Sequence, residues 1–208
     1  MADEGTQASI DWGWLRHSAL DVGCTLVFAR DVTQDEMFQA FDLDPSSAQL
    51  ENWVFDPWRR RVRVGRACGW TFAIDESMVS LDLAMHARNV GGRLSPGTEA
   101  VVLSWTPKPT EDFEYWANGI LVTSFEPYCA SYRVGSEPDR FLDEMRLVGL
   151  IAGADDEDDD LESDLIAALN LATFALGIWL PEQVAMGQLA TVTLTTGDTT
   201  RPDGKRSS

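Results

Sequence analysis

Two histidines, three cysteines and two dense runs of charge are the places in this 208-residue sequence where chemistry could reside. His17 and His86 are the only histidines, and Cys24, Cys68 and Cys129 are scattered singly along the chain. A cysteine or serine nucleophile needs a base, usually histidine, and no G-x-S-x-G or comparable elbow is present. A structural zinc site needs four ligands, mostly Cys and His, at short spacings, which these five scattered residues do not supply. Gly65-Arg-Ala-Cys-Gly69 lacks the third glycine and the following helix of a dinucleotide fingerprint, and no Walker-type G-K-S/T occurs. The sequence therefore predicts no catalytic residue, no metal site and no cofactor. His86, beside Met85 in a helical pattern, reads as a histidine at the edge of the core.

The charge runs point to contacts rather than reactions. Asp155, Asp156, Glu157, Asp158, Asp159 and Asp160 open a stretch with eight acids in the ten positions 155–164. Carboxylates are good calcium ligands, but an EF-hand loop wants alternating acids, a glycine at position six and a glutamate at twelve. The unspaced run predicts a solvated linker whose last acids favour the positive N-terminus of the following helix, with docking onto a basic surface as its functional alternative. Arg59, Arg60, Arg61, Arg63 and Arg66 crowd five of the sixteen basic residues into eight positions. Guanidinium groups can clamp anions bidentately. In a chain with twice as many carboxylates as cations, the expectation is instead the solvent face of a strand, neutralised by nearby acids. Trp53, Trp58 and Trp116 join the acidic run as candidate partner-binding residues, because tryptophan and arginine anchor interfaces.

The chain carries 16 basic and 34 acidic residues, a formal net charge of -18. Such a potential repels phosphate backbones and anionic lipid, which argues against nucleic acid and membrane as partners and favours a protein with a basic surface. At 44% hydrophobic and 10% aromatic, with eight tryptophans, there is ample material for a core. The acidic start has no basic n-region or apolar h-region, and three unpaired cysteines suit a reducing compartment, so a cytoplasmic location is predicted. The apolar stretch Leu165 to Leu180 is 16 residues long, short of the roughly 20 a spanning helix needs.

Positioning such groups falls to a series of strands and helices. Cys24-Thr-Leu-Val-Phe-Ala-Arg30 is an unbroken apolar run, expected as a central strand with both faces covered. Thr33 and Glu36 form a capping box ahead of Met37, Phe38 and Phe41 on one helical face. Residues from Arg60 to Asp75 alternate around a tight turn at Cys68-Gly69. A helix is expected from Met78 to Val90, stopped by Gly91-Gly92. Ala100 to Trp105 reads as a strand, and Asn118-Gly119 as the type I′ turn of a hairpin. Ser136 to Asp139 reads as a second helix start leading to about Leu150, a further helix runs from near Leu161 to Gly177, and Pro181 opens a short one. The fold class is α+β: a mainly antiparallel sheet with a central hairpin, and helices segregated toward the C-terminal third. Residues 1–194 form one domain with an acidic linker at 153–164, and 195–208 form a flexible tail.

Cys24-Thr-Leu-Val-Phe-Ala-Arg30, Val64-Gly-Arg-Ala-Cys-Gly-Trp-Thr-Phe-Ala73, Gly97-Thr-Glu-Ala-Val-Val102, Ser124-Phe-Glu-Pro127 and Gly135-Ser-Glu-Pro-Asp-Arg140 together resemble an uncharacterised domain family common in actinomycetes, over about Trp14 to Leu189. The resemblance implies a cytoplasmic actinobacterial protein of this size and no catalytic set. The functional expectation is a non-catalytic protein-binding domain, such as an immunity or antitoxin-like factor or an accessory subunit. The alternatives are an acidic mimic of nucleic acid and an enzyme working through a carboxylate pair or a thiol such as Cys68.

Overall fold

The computed structural model describes residues 11–54, 56, 60–76, 89–106, 111–151 and 161–194. Nine strands form one sheet in which every pairing is antiparallel: β1 (Cys24–Arg30), β2 (Gln49–Glu51), β3 (Arg60–Ala67), β4 (Trp70–Asp75), β5 (Glu99–Trp105), β6 (Glu111–Ala117), β7 (Ile120–Phe125), β8 (Arg133–Val134) and β9 (Leu189–Leu194). Their spatial order is β2-β9-β3-β4-β1-β5-β6-β7-β8. The apolar run of β1 thus sits in the middle, as its lack of alternation demands.

Strand periodicity sorts side chains by size between the two faces. Leu26, Phe28, Phe72, Ile74, Leu103, Trp105, Phe113 and Phe125 point to one cluster, while Val27, Ala29, Val62, Val64, Ala73, Ala100 and Val102 point to the other. Successive residues of one strand face opposite ways, so Leu26 and Phe28 fall on one side and Val27 and Ala29 on the other. The large-residue face is covered by α4 (Leu161–Leu176), by α3 (Leu142–Leu147) through Met145, and by 3-10 turns bearing Leu15 and Leu20. Trp12 locks that cover by donating Nε1 to Thr173 Oγ1 at 2.9 Å and packing edge-on to Trp179. On the small-residue face lie α1 (Gln34–Ala40), through Met37 and Phe38, and α2 (Val90–Leu94), through Val90 and Leu94. A short α5 (Glu182–Ala185) leads into β9.

The α+β class and the antiparallel sheet stand. The C-terminal segregation of helices holds only in part, because α1 and α2 come from the first half of the chain and cover their own face. Thr33 and Glu36 make the reciprocal capping box, and Cys68-Gly69 and Asn118-Gly119 turn with positive φ at both residues. The second hairpin lies near one edge of the sheet rather than at its centre. Gly91 and Gly92 do not stop a helix but lie within α2. A Cβ at Gly91 would come within 2.3 Å of the Trp116 ring, so the absence of side chains lets that indole seat against the helix. The Ser136 segment does not cap a helix either: the Ser136 and Glu137 amides donate to the carbonyls of Leu121 and Val122, and α3 starts only at Leu142. β2 and β9 were not anticipated, and β9 places a strand in the last third. The predicted helix at Met78 lies outside the described residues up to 88, as do residues 155–160 of the acidic run and the tail, whereas 161–164, expected within the linker, form the first turn of α4. No described helix is long and apolar enough to cross a membrane.

Candidate functional site

At one end of the sheet β3 and β4 bring charge into the interior. The two-residue turn at Cys68-Gly69 fixes the register so that Val62 faces Asp75 and Gly65 faces Phe72. Arg61 and Arg63 therefore project to the face that α5 and the segment after β2 cover, and the Glu76 amide donates to the Arg61 carbonyl at 3.1 Å. Arg63 is 0% exposed, Arg61 5% and Glu76 8%. The expectation of a solvent face fails for these two arginines because the sheet is covered on both sides here. Arg66, at the far end of β3, is exposed.

Glu76 stands between the two guanidinium groups. Arg61 Nη2 reaches its Oε2 at 2.6 Å, and Arg63 Nη1 lies 3.7 Å from its Oε1. Each arginine also fixes main chain. Arg63 donates to the Ala185 carbonyl through Nη1 and to the Gly187 carbonyl through Nη2, both at 2.7 Å, and Arg61 donates to the Val54 carbonyl. Burial pushes the Glu76 carboxyl up from its ordinary value and outweighs the opposing pull of Arg61 and Arg63. Burial likewise lowers Arg63, against the support of Glu76. Hydrogen bonds answer the Nη groups and Glu76 Oε2, whereas Arg61 Nε, Arg63 Nε and Glu76 Oε1 are buried without a hydrogen-bond partner, so the desolvation cost of the group is only partly offset. The buried Cys24 thiol is raised well above its usual value, first by burial and then by Glu76 and Asp75, the opposite of what a thiolate nucleophile requires.

Beside this cluster a cleft of about 300 Å³ is lined by Glu51, Asn52, Val54, Asp56, Arg61 and Thr193. Its walls follow from the register. β2 pairs with β9 only over Leu189 to Thr191, whereas β9 continues to Leu194, and Thr193 lies across from Arg61. The chain then leaves β2 and crosses toward Arg61, which holds the Val54 carbonyl. Leu50, at 69%, and Val54, at 60%, are exposed apolar side chains on these same segments.

Of the predicted partner-binding residues, Trp53 is half-buried in the crossing segment between Asn52 and Val54. Trp116 is far along the sheet on β6, half-buried against Gly91 and Gly92, with Nε1 donating to Glu114 Oε2 at 2.9 Å. Trp58, Arg59 and Asp155, Asp156, Glu157, Asp158, Asp159 and Asp160 lie outside the described residues, as does His86. His17 and Cys68 are exposed. Among the described residues no three His, Cys, Asp or Glu side chains group as a metal site. Sequence reasoning missed Glu51, Asp56, Glu76 and Thr193. For Glu76 a signal existed, since a two-residue turn at 68–69 places residue 76 beside Arg61.

A second arginine group lies at the other end of β4. Arg30 Nε sits 2.5 Å from Glu99 Oε1, its Nη2 donates to the Leu176 carbonyl at 3.1 Å, and its guanidinium covers the Trp70 ring at 4.4 Å. Tyr115 donates its hydroxyl to Glu99 Oε2 at 2.8 Å.

The chain belongs to DUF6461, a family of unknown function whose model matches residues 61–185. That span runs from Arg61 to Ala185, so it includes the buried arginines, Glu76 and the helix end that Arg63 holds. No curated protein and no solved structure matches the chain.

Proposed function

Within this family, we propose that the chain is a non-catalytic binding domain for a protein with a basic surface, of the kind an immunity or antitoxin-like factor or an accessory subunit would be. The observation that supports this most directly is the cleft. Two carboxylates, Glu51 and Asp56, line it, and exposed Leu50 and Val54 lie on the segments that form it. Apolar surface beside a charged rim is the composition of a recognition patch rather than of a solvated face. The wider field agrees, since a formal charge of -18 draws cationic partners in and speeds encounter.

Zero-length carbodiimide cross-linking tests the reading, because it joins a carboxylate only to an amine in direct contact. In lysate from the native cell, the expected result is cross-links from Glu51 or Asp56 to lysines of one recurrent protein. Cross-links scattered over all the acids, with no recurrent partner, would mean that the charge serves solubility alone.

A further inference from the structure

We propose that Asn118 is a modification site, at which the side chain loses its amide through a cyclic imide, and that the buried hydroxyl of Ser95 sets the rate. Asn118-Gly119 is the only Asn-Gly pair in the chain, and Trp53, Val90 and Leu171 follow the other three asparagines. A glycine successor leaves the attacking main-chain nitrogen uncrowded by a side chain, and Asn118 stands exposed at the hairpin tip. The reaction needs only water. The Gly119 nitrogen attacks Cγ of Asn118, an N–Cγ bond forms, the Cγ–Nδ2 bond breaks, and ammonia leaves with the proton that Gly119 gives up. Water then opens the five-membered imide at one of its two carbonyls. Opening at Cγ yields aspartate; opening at the main-chain carbonyl yields isoaspartate, whose main chain runs through the former side chain and is one carbon longer.

The folded hairpin withholds the nucleophile in two ways. Asn118 has φ 53° and Gly119 φ 76°, the I′ conformation, whose main-chain angles turn the Gly119 nitrogen away from the Asn118 side chain. The Gly119 N–H also donates to Ser95 Oγ at 3.1 Å, and Ser95 is 0% exposed. Ser95 directly follows α2 and donates its own amide to the Gly91 carbonyl, so the hydroxyl is held by the helix on which Trp116 packs. On the neighbouring residue the Asn118 amide donates to the Thr98 carbonyl at 2.9 Å. Residues 95–98 thus clasp the tip. Attack requires the Gly119 bond to Ser95 to break and the Asn118 main chain to rotate, a local opening that leaves the strands paired. Opening is least opposed here, because Asn118, Gly119 and Ile120 are all exposed. Once isoaspartate forms, the extra carbon no longer fits a two-residue I′ loop, and the hold of Ser95 on the tip is lost with it.

The test incubates the full folded chain at mildly alkaline pH and follows Asn118 by peptide mapping, in which the aspartate and isoaspartate products separate from the amide. Conversion is expected at Asn118 ahead of the other three asparagines. Ser95→Ala, which frees the Gly119 N–H, should convert about fivefold faster when folded, the factor that one hydrogen bond represents. Unfolded in guanidinium chloride, variant and wild type should convert alike. Arg63→Met, which weakens the far side of the sheet, should convert at the wild-type rate, because only the tip has to open. Equal folded rates for Ser95→Ala and wild type would remove Ser95 as the gate, and an equal acceleration in Arg63→Met would make unfolding of the whole chain the gate; either overturns the proposal. Should Ser95→Ala not fold, the free hexapeptide of residues 116–121, Trp-Ala-Asn-Gly-Ile-Leu, supplies the comparison. The folded wild type should then convert Asn118, and exchange the Gly119 amide, about fivefold or more slowly than the peptide. Equal rates in chain and peptide, or an Asn118 that keeps its amide while the peptide converts fully, also overturn it.

Discussion

Two arginine–carboxylate groups stand at opposite ends of β4, and they are built from the same parts in different surroundings. At one end Arg61, Arg63 and Glu76 are almost wholly buried. At the other, the Arg30 side chain is 42% exposed and that of Glu99 24%. In each group an arginine donates to the carbonyl of a residue that ends a helix: Arg63 to Ala185 of α5, and Arg30 to Leu176 of α4. Cations at helix C-termini are favourable anywhere. What differs is the cost of leaving the job half done. A broken pair in water is rehydrated, whereas a broken pair in the interior leaves a charge with nothing to answer it. Burial, not the number of contacts, should therefore set the mutational response.

The sharpest separation should come from Glu76→Ala, which strands two buried guanidinium groups and is expected to cost about 3–5 kcal/mol in urea unfolding. Arg63→Met comes next. It retains the apolar stem but orphans the carbonyls of Ala185 and Gly187 and leaves Glu76 with Arg61 alone, for a loss of about 2–4 kcal/mol. A cost under about 1 kcal/mol for either variant would show that water enters this end of the sheet and that its burial is not real. Both losses should loosen the turn into β9 and therefore the cleft, which amide exchange at Leu189 to Thr191 would register.

How much of this was legible beforehand depended on how local the cause was. The sheet and the turn at Cys68-Gly69 were readable because β-turn chemistry and strand alternation act over a few residues. That turn even carried the Arg61–Glu76 neighbourhood, since a two-residue loop leaves no freedom of register. The Asn118-Gly119 hairpin was readable as a hairpin but not as a register: a shift between Tyr115 and Trp116 offsets the pairs beyond it, so that Phe113 faces Phe125. The roles of Gly91 and Gly92 were hidden because a distant residue, Trp116, determines them. β9 was missed because it reaches β3 only through tertiary pairing more than a hundred residues away in sequence, and the cleft was hidden with it. The solvent-face reading of Arg61 and Arg63 failed for the same reason. Alternation says which residues share a face; it does not say whether something covers that face.

At the exposed end the expected losses are smaller. Arg30→Met removes the ion pair to Glu99 and the bond to Leu176 but keeps a side chain to lie on Trp70. Because Arg30 is more than a third exposed, solvent screens the pair, and a loss of about 0.5–1 kcal/mol is expected. That loss should shrink further in high salt. A cost equal to that of Arg63→Met would end the contrast between the two groups.

The last effect belongs to Tyr115, and it is one of pH. Burial, followed by its hydrogen bond to Glu99 and the charge of that carboxylate, pushes the Tyr115 hydroxyl up from 10.0 to about 12. The folded state thus holds this proton more tightly than the unfolded chain does. The stability so gained is complete below pH 10, and it is lost as pH rises through 10 toward 12. Phenolate absorbance of the folded chain, which has three tyrosines, should contain one step at about 12. Tyr115→Phe should delete that step and flatten the decline of stability across the same window, while leaving stability at neutral pH lower by about one hydrogen bond's worth, near 1 kcal/mol. Loss of a step near 10 rather than near 12 in Tyr115→Phe would place the Glu99 carboxylate away from the phenol. The Arg30 group would then be a simple surface pair, and its difference from the buried end would be larger still.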